Sequence, residues 1–258
     1  MLRIQEYNPA PQLRSFIKKV YHFEEKEALQ TILPFYPDGY PGIIYHTASD
    51  GLYSLKNKKL TPFFLYGQTL TPIELRMGSP FTMLIYQLYP SVAYDLFGLD
   101  PAMINDDCYN LEHLISPAAF LRLKEAAQPE QQTDIINDFL LHYGNSTHAI
   151  NHQLLQAIKY IIDRNGNVKI KDASAEAYLT ERTFQRQFLT RVGITPKQFA
   201  LIIQFQNSVA DMGGKDLGAL THVALENGFN DQSHFIRIIK KYSGKTPRAL
   251  IHMQPILL

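Results

Sequence analysis

Arg182, Gln185 and Arg186 stand at i, i+3 and i+4, and further along Gln232, Ser233, His234, Arg237, Lys240 and Lys241 crowd a second short segment. At helical spacing each set falls largely on one face. Guanidinium and carboxamide groups pair with guanine and adenine edges through twin hydrogen bonds, while lysine ammonium groups neutralise phosphates. The chemistry these residues offer is recognition of a polyanion.

The elements that must position them are also legible. Phe184 and Phe188 form a buried stripe behind the first set, and Phe235, Ile238, Ile239 and Tyr242, at i, i+3, i+4 and i+7, form one behind the second. Thr180 is placed to cap the first helix and Asn230 or Asp231 the second, with Gly193 and Gly244 ending them in left-handed geometry. "RTFQRQFLTRVGITP" at 182–196 overlays "SHFIRIIKKYSGKTP" at 233–247 without a gap, glycine on glycine and Thr-Pro on Thr-Pro. One supersecondary unit is used twice. Upstream of the second copy, "LTHVALENGF" reads as a shorter helix turning at Asn227-Gly228, with Ala224 small enough for close packing and Phe229 plugging the core. Helix, glycine-containing turn and helix is the helix-turn-helix layout, whose second helix lies in a DNA major groove. "PKQFALIIQFQNSVADM" reads as one connecting helix starting at Pro196, with about fourteen residues spanning about 21 Å.

Charge agrees with that division. Of the 258 residues, 1–149 carry 11 Lys+Arg against 16 Asp+Glu, whereas 150–258 carry 14 against 8, so a net charge of +1 conceals an acidic half and a basic half. No run of about eighteen apolar residues occurs and "MLRIQEYNPAPQLRSF" is no secretory signal, so a soluble, cytoplasmic protein with no membrane partner is expected. The single cysteine, Cys108, excludes an internal disulfide and a multi-thiolate zinc site, and is read as a reduced, inert core residue.

From about residue 16 to 90 short Tyr-, Phe-, Ile- and Leu-rich runs such as "LQTILPFYP", "PGIIYHTA", "FFLYGQTL" and "PFTMLIYQLYP" alternate with Gly, Pro and Asp. This is the pattern of a β-rich sandwich or small barrel, and "YPDGYPG" at 36–42 is a turn with Asp-Gly at its positive-φ position. After residue 100 "SPAAFLRLKEAAQ", capped by Ser116, and "QQTDIINDFLLHYG" read as flanking helices. "STHAINHQLLQAIKYIIDRNGNV" reads as a helix burying Ile150, Leu154, Leu155, Ile158, Ile161 and Ile162 and ended by Asn165-Gly166. The turn-rich "YGNSTHA" at 143–149 is the expected junction. The expectation is therefore a β-rich, cupin-like sensor and dimerisation domain over 1–145, with a helical C-terminal part, then an all-α DNA-binding domain over 150–258.

Other chemistry finds less support. His46 has no partner His and Glu at the spacing a metal-binding cupin needs, and no phosphate loop or dinucleotide fingerprint occurs, so neither metal nor cofactor is expected. Asp231, Ser233 and His234 include triad residue types, but one helical turn cannot form the relay of a hydrolase. Asp106-Asp107 and Glu24-Glu25 read as solvated charges. Tyr36, Tyr40, Tyr45, Tyr66, Tyr86 and Tyr89 are either sandwich core or the lining of a ligand cavity.

At "LTHVALENGFNDQSHFIRIIKKYSGKTPRAL" the sequence resembles the AraC/XylS family of bacterial transcription regulators, through Ala224, Gly228-Phe229, the Asp231–Phe235 run, Arg237, Lys240, Gly244 and Thr246-Pro247. The resemblance covers residues 150 to 252. It implies two helix-turn-helix units on adjacent major-groove segments near promoters, with double-stranded DNA as partner, and with a small-molecule effector, a homodimer and, for an activator, RNA polymerase. By motif position the first helix presents Arg182, Gln185 and Arg186, and the second Gln232, Ser233, His234 and Arg237. Ala173-Ser174 and Gln204 depart from the family pattern. The first half is similar to the β-rich sensor domains of some environmental regulators at "LRSFIKKVYHFE", "PDGYPGIIYH", "LYGQTLTPIEL" and "YQLYPSVAYDLFGL". Two other readings stay open: a cupin-like enzyme with a helical appendage, and an interaction adaptor that does not bind DNA.

Overall fold

The computed structural model describes residues 2–27, 30–54, 58–78, 80–146, 151–213 and 220–251. The chain begins with β1 (Arg3–Tyr7), β2 (Ile17–Glu25), β3 (Gln30–Phe35), β4 (Gly42–His46) and β5 (Leu52–Ser54). β6 (Lys59–Leu60), β7 (Phe63–Tyr66), β8 (Ile73–Gly78), β9 (Phe81–Leu88) and β10 (Cys108–Asn110) follow. They form two antiparallel sheets, six strands in the order β1-β2-β9-β4-β7-β10 and four in the order β3-β8-β5-β6.

The two-residue period of a strand explains the layers. On β9, Met83 and Ile85 point into the core shared with the four-stranded sheet, which also holds Leu33, Leu75 and Met77. Leu84, Tyr86 and Leu88 point the other way, beneath α1 (Val92–Phe97), α2 (Pro117–Glu125) and α3 (Pro129–Ser146). A strand buried on both faces loses its polar alternation, which is why this stretch reads as one continuous apolar run. Tyrosine hydroxyls strap the helices down: Tyr45 donates to the carbonyl of Leu123 at 3.0 Å and Tyr86 to that of Thr133 at 3.2 Å. The flanking-helix expectation holds, with the Ser116 hydroxyl accepting from the amide of Ala119. Strand β10 and helix α1 carried no separate signal, being only three and six residues long.

The second half is helical: α4 (His152–Asp163), α5 (Ile170–Glu176), α6 (Glu181–Val192), α7 (Pro196–Met212), α8 (Leu220–Glu226), α9 (Gln232–Ser243) and α10 (Pro247–Ile251). Three expectations are corrected. Helix α3 continues through the proposed junction as far as Ser146, while 147–150, including Ile150, lie outside the described residues. The connecting helix α7 has 17 residues rather than about fourteen, and so spans about 25 Å. Glu25 is also no solvated charge. It is buried, with its carboxylate accepting from the amides of Lys26 and Glu27.

The two halves meet at the turn between β3 and β4, which crosses from one sheet to the other. Tyr36 and Tyr40 belong to the buried cluster of the helical half, and Gln206 of α7 donates to the carbonyl of Pro37 at 2.7 Å. Gly39 has φ 85°, and a Cβ there would come within 2.8 Å of the Phe199 ring, so both backbone and packing require glycine. Asp38, 8% exposed, accepts from the amide of Tyr40 and from Gln87 Nε2. Burial pushes its carboxyl up to about 6 against the opposing pull of those hydrogen bonds and of Lys18.

A carboxyl raised above its unfolded value contributes stability that is full below about pH 4 and is lost as pH rises through about 6. Asp38→Asn removes that loss, and Gln87 can turn its amide over to present a carbonyl that has no partner among the described residues. The stability of this variant relative to wild type should therefore grow between pH 4 and 7. Urea midpoints measured across that range check it, and a constant difference would contradict it. His46, whose imidazole is lowered to about 4 by burial, has the opposite sign: its contribution is present above about 6.5 and lost as pH falls through 4. Because both chains share His46, the comparison isolates Asp38.

Candidate nucleic-acid interface

In the first helix-turn-helix unit α5 is short, with Ala173 and Ser174 buried against its neighbours and the Ser174 hydroxyl donating to the carbonyl of Lys171 at 2.8 Å. This internal bond lets the departure from the family pattern at 174 pack without an orphaned hydroxyl. After the turn the Thr180 hydroxyl accepts from the amide of Thr183 and starts α6. Phe184, Phe188 and Val192 are fully buried, and the rings of Phe184, Phe188 and Phe199 succeed one another at 5.5 and 5.6 Å. With that stripe pinned to α7, Arg182, Gln185 and Arg186 face solvent. Gln185 Nε2 donates to Glu181 Oε1 at 3.0 Å, which holds its side chain in place along the helix.

The second unit repeats the construction. Asn227, in the turn after α8, is buried and donates to the carbonyl of Val223 and to Asp211 Oδ2 of α7 at 2.8 Å, which fixes this turn to the connecting helix. Of the two expected caps, Asp231 serves: its carboxylate accepts from the amide of His234 at 2.7 Å. Phe235, Ile238, Ile239 and Tyr242 are buried, while Gln232, Ser233, Arg237, Lys240 and Lys241 are exposed. His234 departs from expectation. It is only half-exposed, with its ring edge-on to Phe229 at 5.5 Å, because it lies beside the apolar stripe rather than opposite it.

The repeat extends to the ends of the helices. Gly193 and Gly244 both cap with positive φ, 83° and 70°, and the hydroxyls of Thr195 and Thr246 both accept from the amide three residues on. Phe199 of α7 packs beneath α6, and Phe205 packs on Tyr242 of α9 at 5.5 Å. One rigid helix therefore sets the spacing of both recognition helices. Ile236, 40% exposed on the outer face of α9, was missed, because apolar residue type assigns isoleucine to the core.

A family model of the helix-turn-helix domain, of the AraC type, matches residues 173–253, which span both units. These residues form an AraC-type helix-turn-helix domain, the DNA-binding part of a transcription regulator. Domain and fold point to a DNA-binding transcription regulator. The first half of the chain, residues 5–110, matches a domain family of unknown function, DUF6597. No curated protein matches. Among solved structures the chain is similar to ToxT from Vibrio cholerae O395, with 12% identity, TM-score 0.47, and coverage of 94% of this chain and 100% of that one. It is also similar to the DNA-binding domain of AdpA in complex with a target DNA, with 20% identity, TM-score 0.35, and coverage of 38% and 87%. An AraC-type regulator from Chromobacterium violaceum gives 17% identity, TM-score 0.35, and coverage of 38% and 88%.

The β-rich half of the regulator holds a cavity of about 410 Å³ between its sheets. Phe35, Ile44, Leu60, Phe64 and Leu75 make its walls apolar, and of the six tyrosines singled out only Tyr66 lines it. The others are structural. Lys58, Asp106 and Asp107 line its exposed side, and neither aspartate is merely solvated: Asp107 pairs with Lys58 at 2.6 Å, and Asp106, at φ 53°, accepts from the amides of Leu70 and Thr71. Cys108, packed against the inter-sheet core, also lines the cavity, and burial pushes its thiol up to about 12, so it stays protonated. Among the described residues no group of three or more His, Cys, Asp or Glu could hold a metal ion, and no helix is long and apolar enough to cross a membrane.

Proposed function

We propose that the regulator reads one bipartite DNA site, with α6 and α9 in adjacent major-groove segments. The observation that carries this reading is that both exposed faces are backed by buried stripes keyed to the same helix, α7. Arg182, Gln185 and Arg186 read bases in one half-site, and Gln232, Ser233 and Arg237 in the other. Lys240 and Lys241, in the last turn of α9, contact phosphates. His234 supports α9 through Phe229 instead of reading a base. The DNA-binding part runs over 150–258, and 1–145 form the sensor and dimerisation part, which acts in the cytoplasm, where the chromosome lies. Selection of bound sequences from a random duplex pool tests the reading. Two blocks of preferred bases centred about one helical turn apart are expected, and a single block would remove one of the two readers.

The cavity is the effector site of this proposal, suited to a largely apolar small molecule carrying a hydrogen-bonding group for Tyr66, Thr69 or Thr71. Its route to the DNA-binding half is short. Asp106 and Asp107 line the cavity, while the adjacent Asn105 donates to the carbonyl of Gly193, the cap of α6, at 2.8 Å. A ligand that prefers one position of this segment shifts α6 by that preference alone.

A further inference from the structure

On the outer face of α9 one side chain fits neither the core stripe nor the polar set. Ile236 lies three residues after Ser233, four after Gln232, four before Lys240 and beside Arg237, so it sits in the middle of the recognition face. The buried stripe is already complete with Phe235, Ile238, Ile239 and Tyr242, and Ile236 remains 40% exposed. The two overlaid copies place it at the helix position that Gln185 occupies in α6, with Arg237 matching Arg186 and Ser233 matching Arg182.

We propose that Ile236 is a specificity-determining residue that reads thymine through the C5-methyl group. The inference rests on α9 lying in the major groove. There an isoleucine side chain has nothing to offer the donors and acceptors of the base edges, and the thymine methyl is the one apolar group it can cover. A β-branched side chain on a helix is held near a single χ1 rotamer, so the contact is presented without first being ordered. The two units consequently differ at matched positions: Gln185 is suited to adenine in one half-site, and Ile236 to thymine in the other, next to the guanine that Arg237 is suited to read. The bipartite site is then asymmetric, and the protein sits on it in one orientation.

The test uses the full chain and the DNA site selected by the wild-type protein, with each thymine of the second half-site replaced in turn by uracil, which lacks only the methyl group. At one position uracil should weaken wild-type binding about fourfold, the effect of burying one methyl group. Ile236→Ala should bind thymine and uracil equally there, and Ile236→Gln should move the preference at that base pair towards adenine. Uracil tolerated at every position by the wild type, or discrimination that survives in Ile236→Ala, would overturn the proposal and leave Ile236 as a surface for a protein partner. Failure of the underlying reading shows differently, as a wild-type protein that selects no site at all.

Discussion

Phe205→Ala should cost about 3–5 kcal/mol of folding stability, the range for emptying a buried aromatic site. The ring is fully buried on α7, between Tyr242 of α9 at 5.5 Å and Tyr36 of the inter-sheet turn at 6.4 Å. It therefore touches the second recognition helix and the β-rich half together. Alanine leaves a cavity that the 17-residue helix cannot close by moving, since Phe199 holds its other end under α6. Phe205→Leu keeps most of the volume and should cost much less. Urea unfolding followed by circular dichroism measures both, and a loss below about 1 kcal/mol for the alanine variant would show that the joint is not built on this ring.

The second large effect lies at another contact between the halves. Asp95 of α1, 1% exposed, accepts a hydrogen bond from Arg191 Nη1 of α6, and the Arg191 guanidinium also lies over the Tyr94 ring, 4.9 Å from its centroid. Arg191→Ala takes this cation from a buried carboxylate and should cost about 3–5 kcal/mol, most of it the penalty for the charge left behind. The double variant Asp95→Ala/Arg191→Ala should be more stable than Arg191→Ala alone, because it removes that charge too. Strict additivity of the two substitutions in a denaturation cycle would rule out a coupled pair.

The recognition helices were legible because each is fixed by several signals that agree. Thr180 and Asp231 as caps, the aromatic stripes and the glycine ends all specify the same two elements, and the repeat supplies a second instance of each. The sheets were legible as short apolar runs, but their order was not. Which strands pair depends on contacts distant in sequence, such as β2 with β9, and no local pattern encodes that pairing. For the same reason the joint between the halves was hidden: Asp38 and Asn105 look like ordinary turn residues until α6 and α7 are packed against them. The cavity was half-foreseen. Aromatic content marks apolar burial, yet it does not distinguish Tyr66, beside an open space, from Tyr86, beneath a helix. Asp106 was misread because charge alone signals solvation, whereas a positive φ and two neighbouring amides bind it into the cavity wall.

The most direct test of base reading by both helices is the affinity of the full chain for its selected site and for a scrambled duplex, at several salt concentrations, for wild type, Arg186→Ala and Arg237→Ala. Each substitution should weaken binding to the selected site by about 1–3 kcal/mol and relax preference in its own half-site, with little change on scrambled DNA. Selected and scrambled DNA bound equally, with neither substitution mattering, would contradict the account and leave the two helices as a charged surface that ignores sequence.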